Sequence, residues 1–178
     1  EVQQLRQAGY RQATYLPFAT DPEWFRPRSS GTANGPYAIG FVGRYAPRRA
    51  DFLKPLVEMD LRVWGTNWDS RCEDEPLRRC VVERHLVFGQ ALVRCYQQTK
   101  LSLNVQREHM RATLPDGRVI GTGLAWRHFD VPAAGSCLLS ESVLELPEAF
   151  RIGEEVETFD TPEELRDKAA YLLAHETQ

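Results

Sequence analysis

The stretch that decides the fold is residues 37–65, YAIGFVGRYAPRRADFLKPLVEMDLRVWG. A short apolar run ends at Gly43, a stretch of helical character covers 48–59, and a second apolar run covers 61–65. Two apolar runs separated by one helix are typical of a βαβ unit, in which the two strands lie parallel. Pro55 falls inside the helical stretch, and because an interior proline removes a backbone hydrogen bond, we expect a kink there or a late start of the helix.

The same alternation of apolar runs and helical stretches continues toward the C-terminus. The predicted helices cover 90–98 and 122–131, and the predicted strands cover 101–105 and 136–140. We expect Pro132 and Gly135 to end the second of these helices. This order predicts an α/β domain of Rossmann-like type, a parallel sheet with helices on both faces. Such sheets bind ligands at the carboxyl ends of their strands, so the candidate site lies in the loops after Val42, Val63, Val105 and Leu139.

Two local signals add detail to this pattern. Residues 106–121 contain a Pro-Asp-Gly turn signal and no helical stripe, so they predict a long loop or a small hairpin. A final helix is predicted to begin at Thr161, because Pro162 and Glu164 follow it in the pattern of a capping box.

The N-terminal part of the chain differs from the alternating part. Residues 1–8 have the character of the end of a helix that Gly9 closes. Residues 26–36, RPRSSGTANGP, are rich in Pro, Gly and Ser and show no periodicity. We therefore expect 1–36 to hold the end of an N-terminal domain and an interdomain crossover, and 37–178 to form the main domain. On this interpretation, an N-terminal domain is missing from the chain.

Composition argues against several classes of protein. Of 178 residues, 42% are hydrophobic and 26% are charged, which is typical of a globular domain. The net charge of -3 argues against a nucleic-acid partner, and no apolar run reaches the roughly 18 residues of a membrane span. The N-terminus also lacks the pattern of a signal peptide, so we expect a cytoplasmic protein. The 4 cysteines form no C-x-x-C pair and the 4 histidines have no ligand spacing, so we expect no metal site.

The first candidate loop follows the first predicted strand. Gly43 ends this strand, Arg44 follows it in the loop, and Arg48 and Arg49 open the next helix. Guanidinium groups bind phosphate oxygens in bidentate fashion, and a helix N-terminus favours an anion. The loop therefore indicates a diphosphate site, with Arg44 and Arg49 as candidate catalytic residues that stabilise charge on a leaving diphosphate. Because the loop matches neither G-x-G-x-x-G nor a P-loop, exposed arginines at a helix start are the alternative.

The second candidate loop is residues 121–130, GTGLAWRHFD. Gly121 and Gly123 would let backbone N–H groups approach a ligand closely, and Thr122 is the expected N-cap of the next helix. Asp130 is the carboxylate that we expect to accept hydrogen bonds from ribose hydroxyls. A solvated aspartate on an exposed helix face is the alternative for Asp130.

Several short segments carry a further signal through their order in the chain. They are 15–22 (YLPFATDP), 39–43 (IGFVG) with Arg49, 63–65 (VWG) with Trp68, 99–104 (TKLSLN), 127–135 (RHFDVPAAG), and Phe150, Gly153, Glu154, Glu155 and Phe159. Together they resemble the CgeB-like, spore-maturation group of GT-B glycosyltransferases over nearly the whole chain. The family usually has glutamate where Asp130 stands, and Thr122 stands where a related pattern has its first acid.

The resemblance implies the C-terminal, donor-binding half of a hexosyltransferase-like enzyme. The donor would be a nucleotide diphosphate sugar such as a UDP-sugar, with no tightly bound cofactor and no metal requirement, and acceptor-binding groups would come from the N-terminal domain. The resemblance also assigns residues to parts of the ligand. These are the loop 85–89 (HLVFG), with Phe88 and Gly89, near the nucleobase, Gly43, Arg44 and Arg49 at the diphosphate, and Lys100 and Asn104 near the sugar, with Arg127 and Asp130 in the matching helix motif.

Other interpretations of the same residues remain open. A non-catalytic interaction domain could keep this fold with a decayed site, and Asp130 and Thr122 favour that alternative. A receiver-like or dinucleotide-binding module is a third interpretation, but the sequence has neither an acidic cluster nor G-x-G-x-x-G. For Lys100 the alternative is an exposed lysine at a strand junction. The aromatic residues that could stack on a base or sugar, but are more typical of a core or interface, are Trp64, Trp68, Trp126 and Phe129.

Overall fold

The computed structural model describes residues 2–14, 16, 18–28 and 35–176. Its strands are β1 (Tyr37–Val42), β2 (Leu61–Trp64), β3 (Val81–Glu83), β4 (Thr99–Asn104), β5 (Arg111–Thr113), β6 (Val119–Gly121), β7 (Cys137–Glu141) and β8 (Glu157–Phe159). Its helices are α1 (Val2–Gln7), α2 (Pro47–Leu53), α3 (Trp68–Arg71), α4 (Glu75–Arg79), α5 (Gly89–Gln97), α6 (Arg127–Ala133), α7 (Leu146–Ala149) and α8 (Pro162–Ala174). Short 3-10 turns cover Lys54–Leu56 and Glu108–Met110.

Six of the strands form one parallel sheet in the order β3-β2-β1-β4-β7-β8. Phe41 in β1 lies opposite Val63 in β2 on one side and Leu103 in β4 on the other. The chain therefore moves outward through β2 and β3, and then returns to the other side of β1 to continue through β4. A crevice opens where the strand order reverses, outside the carboxyl ends of β1 and β4, and this is where such sheets bind ligands.

Helices cover both faces of this sheet, and the predicted Rossmann-like α/β class is confirmed. Side chains alternate between the two faces of a strand. Leu139 of β7 accordingly lies in a large core with α2 and α8, whereas the adjacent Leu138 lies in a smaller core with α5 and α6. Leu101, Leu103 and Val105 share the face of the large core, as their spacing predicts.

Two helices differ in detail from those that the sequence predicts. The α-helix ends at Leu53 and tightens into a 3-10 turn at Pro55, so the predicted kink is present and the late start is not. The predicted start of α6 at Thr122 is wrong, because the helix begins at Arg127. Pro132 lies inside α6 without ending it, and the turn after the helix uses Gly135 at a φ of 85°.

The backbone of 121–123 has other partners, and this explains the late start of α6. The N–H of Thr122 donates to the carbonyl oxygen of Met110 at 2.8 Å, and the N–H of Gly123 donates to a carboxylate oxygen of Glu145 at 2.7 Å. Thr122 is therefore not the N-cap; Trp126 occupies that position, and its side chain makes no capping hydrogen bond.

The small hairpin and the capped C-terminal helix are both present. β5 and β6 pair antiparallel, with Ala112 opposite Ile120. Thr161 Oγ1 accepts a hydrogen bond from the N–H of Glu164 at 3.1 Å, which confirms the predicted cap of α8. In the described part of the chain, each helix is too short or too polar to cross a membrane.

The N-terminal segment lies along the smaller core. α1 is followed by Gly9 at a φ of 101°, as predicted, and Phe25 packs against the smaller core. Gln97 Nε2 of α5 donates to the carbonyl oxygen of Arg26 at 2.7 Å. Residues 29–34 of the predicted crossover, and Tyr15 and Pro17 of the 15–22 motif, lie outside the described residues. The division of the chain at residue 36 stays a prediction.

Candidate functional site

A cleft of about 480 Å³ opens at the carboxyl ends of the central strands, within the size range of small-molecule sites. One wall is mainly apolar and comes from the ends of β2 and β3 and from α5. It consists of Trp64, Leu86, Val87, Leu92 and Tyr96. The other wall is polar and comes from the ends of β1 and β4 and from α6. It includes Gly43, Arg44, Arg107, Arg127 and Asp130.

Two glycine-containing loops meet below the cleft and fix its floor. The N–H of Gly43 donates to the carbonyl oxygen of Trp64 at 2.8 Å, and Trp68 Nε1 donates to the carbonyl oxygen of Gly43 at 2.8 Å. A Cβ atom at Gly65, whose φ is 144°, would lie 2.2 Å from that same carbonyl oxygen. Only glycine fits there without moving the backbone. The loop that presents Arg44 is therefore held rigidly against the loop after β2. Trp68 is a core residue, and Trp64 is buried and borders the cleft.

Arg49 lies behind the cleft wall and not in it. Its side chain is 3% exposed, with Nε donating to the carbonyl oxygen of Val105 at 3.0 Å and an Nη donating to that of Arg44 at 3.0 Å. Burial, together with the nearby charges of Arg127 and Arg107, lowers the pKa of Arg49 to about 9, so it still carries its charge at neutral pH. Arg49 ties the loop after β1 to the end of β4, and its side chain does not line the cleft, so direct contact of Arg49 with a ligand stays a prediction.

Arg127 is held in the wall by two neighbouring strands. Its Nε and one Nη donate to the carbonyl oxygen of Val42 at 3.0 and 2.8 Å, and the other Nη donates to Asn104 Oδ1 at 3.3 Å. These bonds leave some of the five guanidinium N–H groups available to a ligand. Asn104 is fully buried, so it does not reach the cleft but orients Arg127.

A buried polar network supports Asn104. Its Nδ2 lies 3.0 Å from His128 Nε2 and 3.1 Å from Ser140 Oγ. The N–H of Ala125 donates to His128 Nδ1 at 2.8 Å. Burial lowers the pKa of His128 to about 4, so the ring is neutral at pH 7 and adds no charge to the site. The network sets the orientation of Arg127 through side chains that are fully buried.

Asp130 is the carboxylate of the cleft wall among the described residues that line it. It lies on α6 three positions after Arg127, and residues at this spacing are neighbours on a helix surface. Its residue exposure is 7%, and burial raises the pKa of this carboxyl group above its ordinary value of 3.8. The group is thus a partly desolvated hydrogen-bond acceptor next to a cation.

A second buried carboxylate, Glu141, serves other arginines. Arg48 donates two hydrogen bonds to it, one of them at 2.9 Å, and Arg111 Nε lies 3.3 Å from Oε1. The N–H of Gln106 also donates to Glu141, at 2.8 Å. Glu141 therefore pairs with Arg48 and Arg111 and holds the loop after β4, while among the described residues no carboxylate forms an ion pair with the arginines that line the cleft.

Comparison with known proteins places this geometry in a family. A family model described as glycosyl transferase-like matches residues 48–178. The chain belongs to the glycosyl transferase-like family. No curated protein matches the sequence at a significant level. The spore-maturation group within these enzymes stays a prediction.

Solved structures agree with this glycosyl transferase-like assignment at the level of fold. The chain is similar to AviGT4, a glycosyltransferase involved in avilamycin A biosynthesis, with a TM-score of 0.60 at 20% identity over 96% of this chain and 52% of that one. It is also similar to the apo form of WaaB, a lipopolysaccharide outer core galactosyltransferase, with a TM-score of 0.57 at 14% identity over 97% of this chain and 51% of that one. The chain thus spans about half the length of these structures.

The glycosyl transferase-like cleft brings together some of the predicted site residues and not others. Gly43, Arg44, Arg127 and Asp130 line it. Lys100 lies near the amino end of β4, where its Nζ pairs with Glu176 Oε1 at 2.6 Å, so the structure does not bring it to the cleft. The physical reason is direction, because the ligand edge of a parallel sheet is the opposite, carboxyl edge.

The remaining predicted residues lie beside the cleft. Phe88 is 76% exposed and Gly89 begins α5, while the two residues before them line the apolar wall. Gly121, Thr122 and Gly123 do not line the cleft; the loop they form is bonded to Met110, Ser142 and Glu145. Trp126 lies at the mouth, 62% exposed, with Phe18 packed edge-on at 5.4 Å, and Phe129 packs in the smaller core.

Arg107 and Tyr96 line the cleft but were not among the predicted site residues. Arg107 comes two residues after Val105, where we expect the third strand to end, so the reasoning that selected Arg44 after β1 also applies to it. Tyr96 gave no such signal, because an apolar position on α5 has the same pattern whether it faces a core or a cleft. Among the described residues, no group of three or more His, Cys, Asp or Glu side chains could hold a metal ion.

Proposed function

We propose that this chain binds a nucleotide diphosphate sugar in the cleft and forms the donor side of a sugar-transfer reaction. The observation that carries the proposal is the charge of the polar wall. Arg44, Arg107 and Arg127 line it, and Asp130 is the only carboxylate among the described lining residues. Positive charge without matching carboxylates attracts an anion, and planar guanidinium groups match phosphate oxygens.

The two walls fit the two ends of such a ligand. The apolar wall offers Trp64 and the aliphatic residues near it to a nucleobase, which is planar and largely apolar on its faces. Asp130 is partly desolvated and accepts hydrogen bonds, so it suits the ribose hydroxyls that lie between base and phosphates. Arg44 and Arg127 then suit the diphosphate.

The arginines would act mainly by electrostatic stabilisation. An acceptor oxygen forms a bond to the anomeric carbon of the sugar and loses its proton, while the bond between that carbon and the phosphate oxygen breaks. The electron pair of the broken bond stays on the leaving nucleoside diphosphate, whose negative charge grows. Guanidinium groups fixed beforehand stabilise this charge without reorganising, and Arg49 adds its charge from behind. This account uses no metal ion.

Other parts of the reaction belong to the same proposal. Since the chain spans about half the length of the solved relatives, acceptor-binding groups are assigned to a further domain. Residues 1–36 would connect that domain to the donor domain at 37–178. Hexosyl transfer from a UDP-sugar, membership of the spore-maturation group and a cytoplasmic location complete the proposal.

Thermal unfolding with saturating UDP, GDP, ADP and dTDP tests the proposal. One of these nucleotides should raise the unfolding temperature, because a ligand at about 100 times its Kd adds about 2.7 kcal/mol to the folded state. Arg44→Ala should remove most of the rise in unfolding temperature, because Arg44 is proposed to bind the diphosphate. The variant should still fold, since this exposed side chain has no partner among the described residues. Arg166→Ala, an exposed arginine on α8, is the matched control. If no nucleotide stabilises the wild-type chain, the non-catalytic interaction domain is the better interpretation.

A further inference from the structure

Arg107 lines the cleft without a partner for its charge. It comes three residues after β4, and Arg44 comes two residues after β1, on the other side of the point where the strand order reverses. Among the described residues, neither side chain has a hydrogen-bond or ion-pair partner. The acid next to Arg107 in sequence, Glu108, pairs with Arg48 at 3.6 Å instead. A cation in this position is available to a ligand.

The backbone that carries Arg107 is braced on both sides. The N–H of Gln106 donates to Glu141 at 2.8 Å, and its carbonyl oxygen accepts from Arg48 at 3.2 Å. The carbonyl oxygen of Arg107 accepts from the N–H of Met110 at 3.0 Å. Because the backbone is fixed, only the side chain of Arg107 has to be ordered when a ligand binds.

Arg49 links the loop of Arg107 to the loop of Arg44. One end of its guanidinium binds the carbonyl oxygen of Val105, two residues before Arg107, and the other end binds that of Arg44 itself. The proximity of the cations is also visible in the lowered pKa of Arg49, to which Arg107 contributes after burial and Arg127. The two free arginines are thus held as a pair on adjacent strands.

The order of the strands in the sheet sets the order in which residues line the cleft. Leu86 and Val87 follow β3, Trp64 ends β2, Arg44 follows β1, and Arg107 follows β4. Since the sheet order is β3-β2-β1-β4, Arg107 lies on the strand farthest from the apolar end of the cleft. A nucleotide whose base rests on the apolar wall would therefore place its phosphates in sequence along β1 and β4.

We propose that Arg107 is a catalytic residue that binds the distal phosphate of the donor, the phosphate joined to the sugar. This inference rests on the proposed function. When the bond from the anomeric carbon to the phosphate oxygen breaks, its electron pair remains on that oxygen, and the distal phosphate gains a full negative charge. Arg107 stabilises this charge directly, while Arg44 holds the phosphate nearer the nucleoside.

Affinities for a matched pair of nucleotides test the assignment. The probes are the nucleoside diphosphate with the largest thermal shift among UDP, GDP, ADP and dTDP, and the monophosphate of the same nucleoside. Calorimetric titration of the full chain gives Kd for wild type, Arg107→Gln, Arg107→Lys and Arg44→Gln, with Arg166→Gln as the control. Arg107→Gln should weaken diphosphate binding about 10- to 100-fold and leave monophosphate binding within about twofold. Arg107→Lys should recover part of the loss, and Arg44→Gln should weaken both nucleotides.

The possible outcomes separate this inference from the proposed function. Equal loss of monophosphate and diphosphate binding in Arg107→Gln would overturn the assignment to the distal phosphate. Unchanged diphosphate binding in this variant would overturn any role of Arg107 and leave the proposed function intact. A wild-type chain that binds none of the nucleotides would overturn both. Thermal midpoints of the unliganded variants should match wild type, because Arg107 has no partner to lose among the described residues.

Discussion

The charged side chains at the two ends of the parallel sheet differ in whether they have ion-pair partners. At the amino end, Lys100 pairs with Glu176 at 2.6 Å, and Arg62 pairs with Asp60 at 2.7 Å. At the carboxyl end, Arg44 and Arg107 line a cleft with no partner among the described residues. Exposed pairs such as those at the amino end contribute little to stability and leave no net charge for a ligand. The candidate site is therefore marked by the end of the strands at which the charged side chains lie, and not by how many charged side chains there are.

The partners of one buried acid, Glu141, add to the contrast between paired and unpartnered arginines. Glu141 lies at the carboxyl end of β7 and is 1% exposed, yet its bonds go to Arg48, Arg111 and the backbone of Gln106. Among the described residues, it forms ion pairs with arginines beside the cleft and with none of those that line it. The carboxyl end therefore combines a rigid, neutral support with an unneutralised surface.

Removing this support should have the largest effect on stability. Glu141→Ala removes the buried carboxylate that pairs with the part-buried Arg48, and breaking a buried pair in this way costs about 3–5 kcal/mol in the free energy of unfolding. Urea denaturation at pH 7 measures the loss. Glu75→Ala removes an exposed pair with Arg79 on α4 and should leave the free energy nearly unchanged. Equal losses of stability in the two variants would contradict the claim that the pairs of Glu141 stabilise the fold more than an exposed pair does.

The pH dependence of stability should show the buried network at His128. Burial lowers the pKa of His128 from 6.5 to about 4, so between these values the unfolded chain binds a proton that the folded chain does not. The contribution is fully present above pH 6.5 and is lost as the pH falls toward 4, by about 3 kcal/mol. Urea denaturation from pH 7 to pH 4 measures the slope. His128→Gln should flatten it, and an identical slope in the variant would contradict the assignment to His128.

The fold was predictable because it depends on local patterns. The apolar runs of 37–43 and 61–65 and the helix between them define the βαβ unit, and the signals at Thr161 define the cap of α8. The start of α6 was not predictable in this way. Thr122 has the residue type of an N-cap, but its N–H is bonded to Met110, and a contact of that kind has no local signal.

The candidate site was predictable where topology alone decides it. The loop after β1 and the helix motif supplied Gly43, Arg44, Arg127 and Asp130, which line one cleft. Lys100 was misplaced because the resemblance assigned it to the sugar, although the predicted strand 101–105 already put it before the start of that strand. The burial of Arg49 was not predictable for another reason. Arg48 and Arg49 are adjacent in sequence, and only packing decides which side chain is buried.

Replacing Asp130 should change the stability of the chain and its nucleotide binding in opposite directions. Burial raises the pKa of Asp130 above 3.8, so stability falls as pH rises from 3.8 through the raised pKa, and the charged form remains a cost at pH 7. Asp130→Asn should therefore slightly raise the unfolding temperature of the unliganded chain and weaken nucleotide binding about tenfold. Thermal unfolding with and without nucleotide measures both. A variant that is less stable and binds normally would contradict the assigned role.

The smallest effect is expected from the amino end of the same strand. β4 has 6 residues, so at about 3.3 Å per residue its first and last residues are about 17 Å apart, more than one Debye length at 0.1 M salt. Lys100→Ala should change stability by less than about 1 kcal/mol, because its pair with Glu176 is partly exposed, and should leave nucleotide Kd within about twofold. Titration in 0.1 M salt beside Arg44→Ala measures the contrast. If both variants weakened binding equally, the ligand would be responding to the net charge of the whole chain, and the two ends of the sheet would not differ as sites.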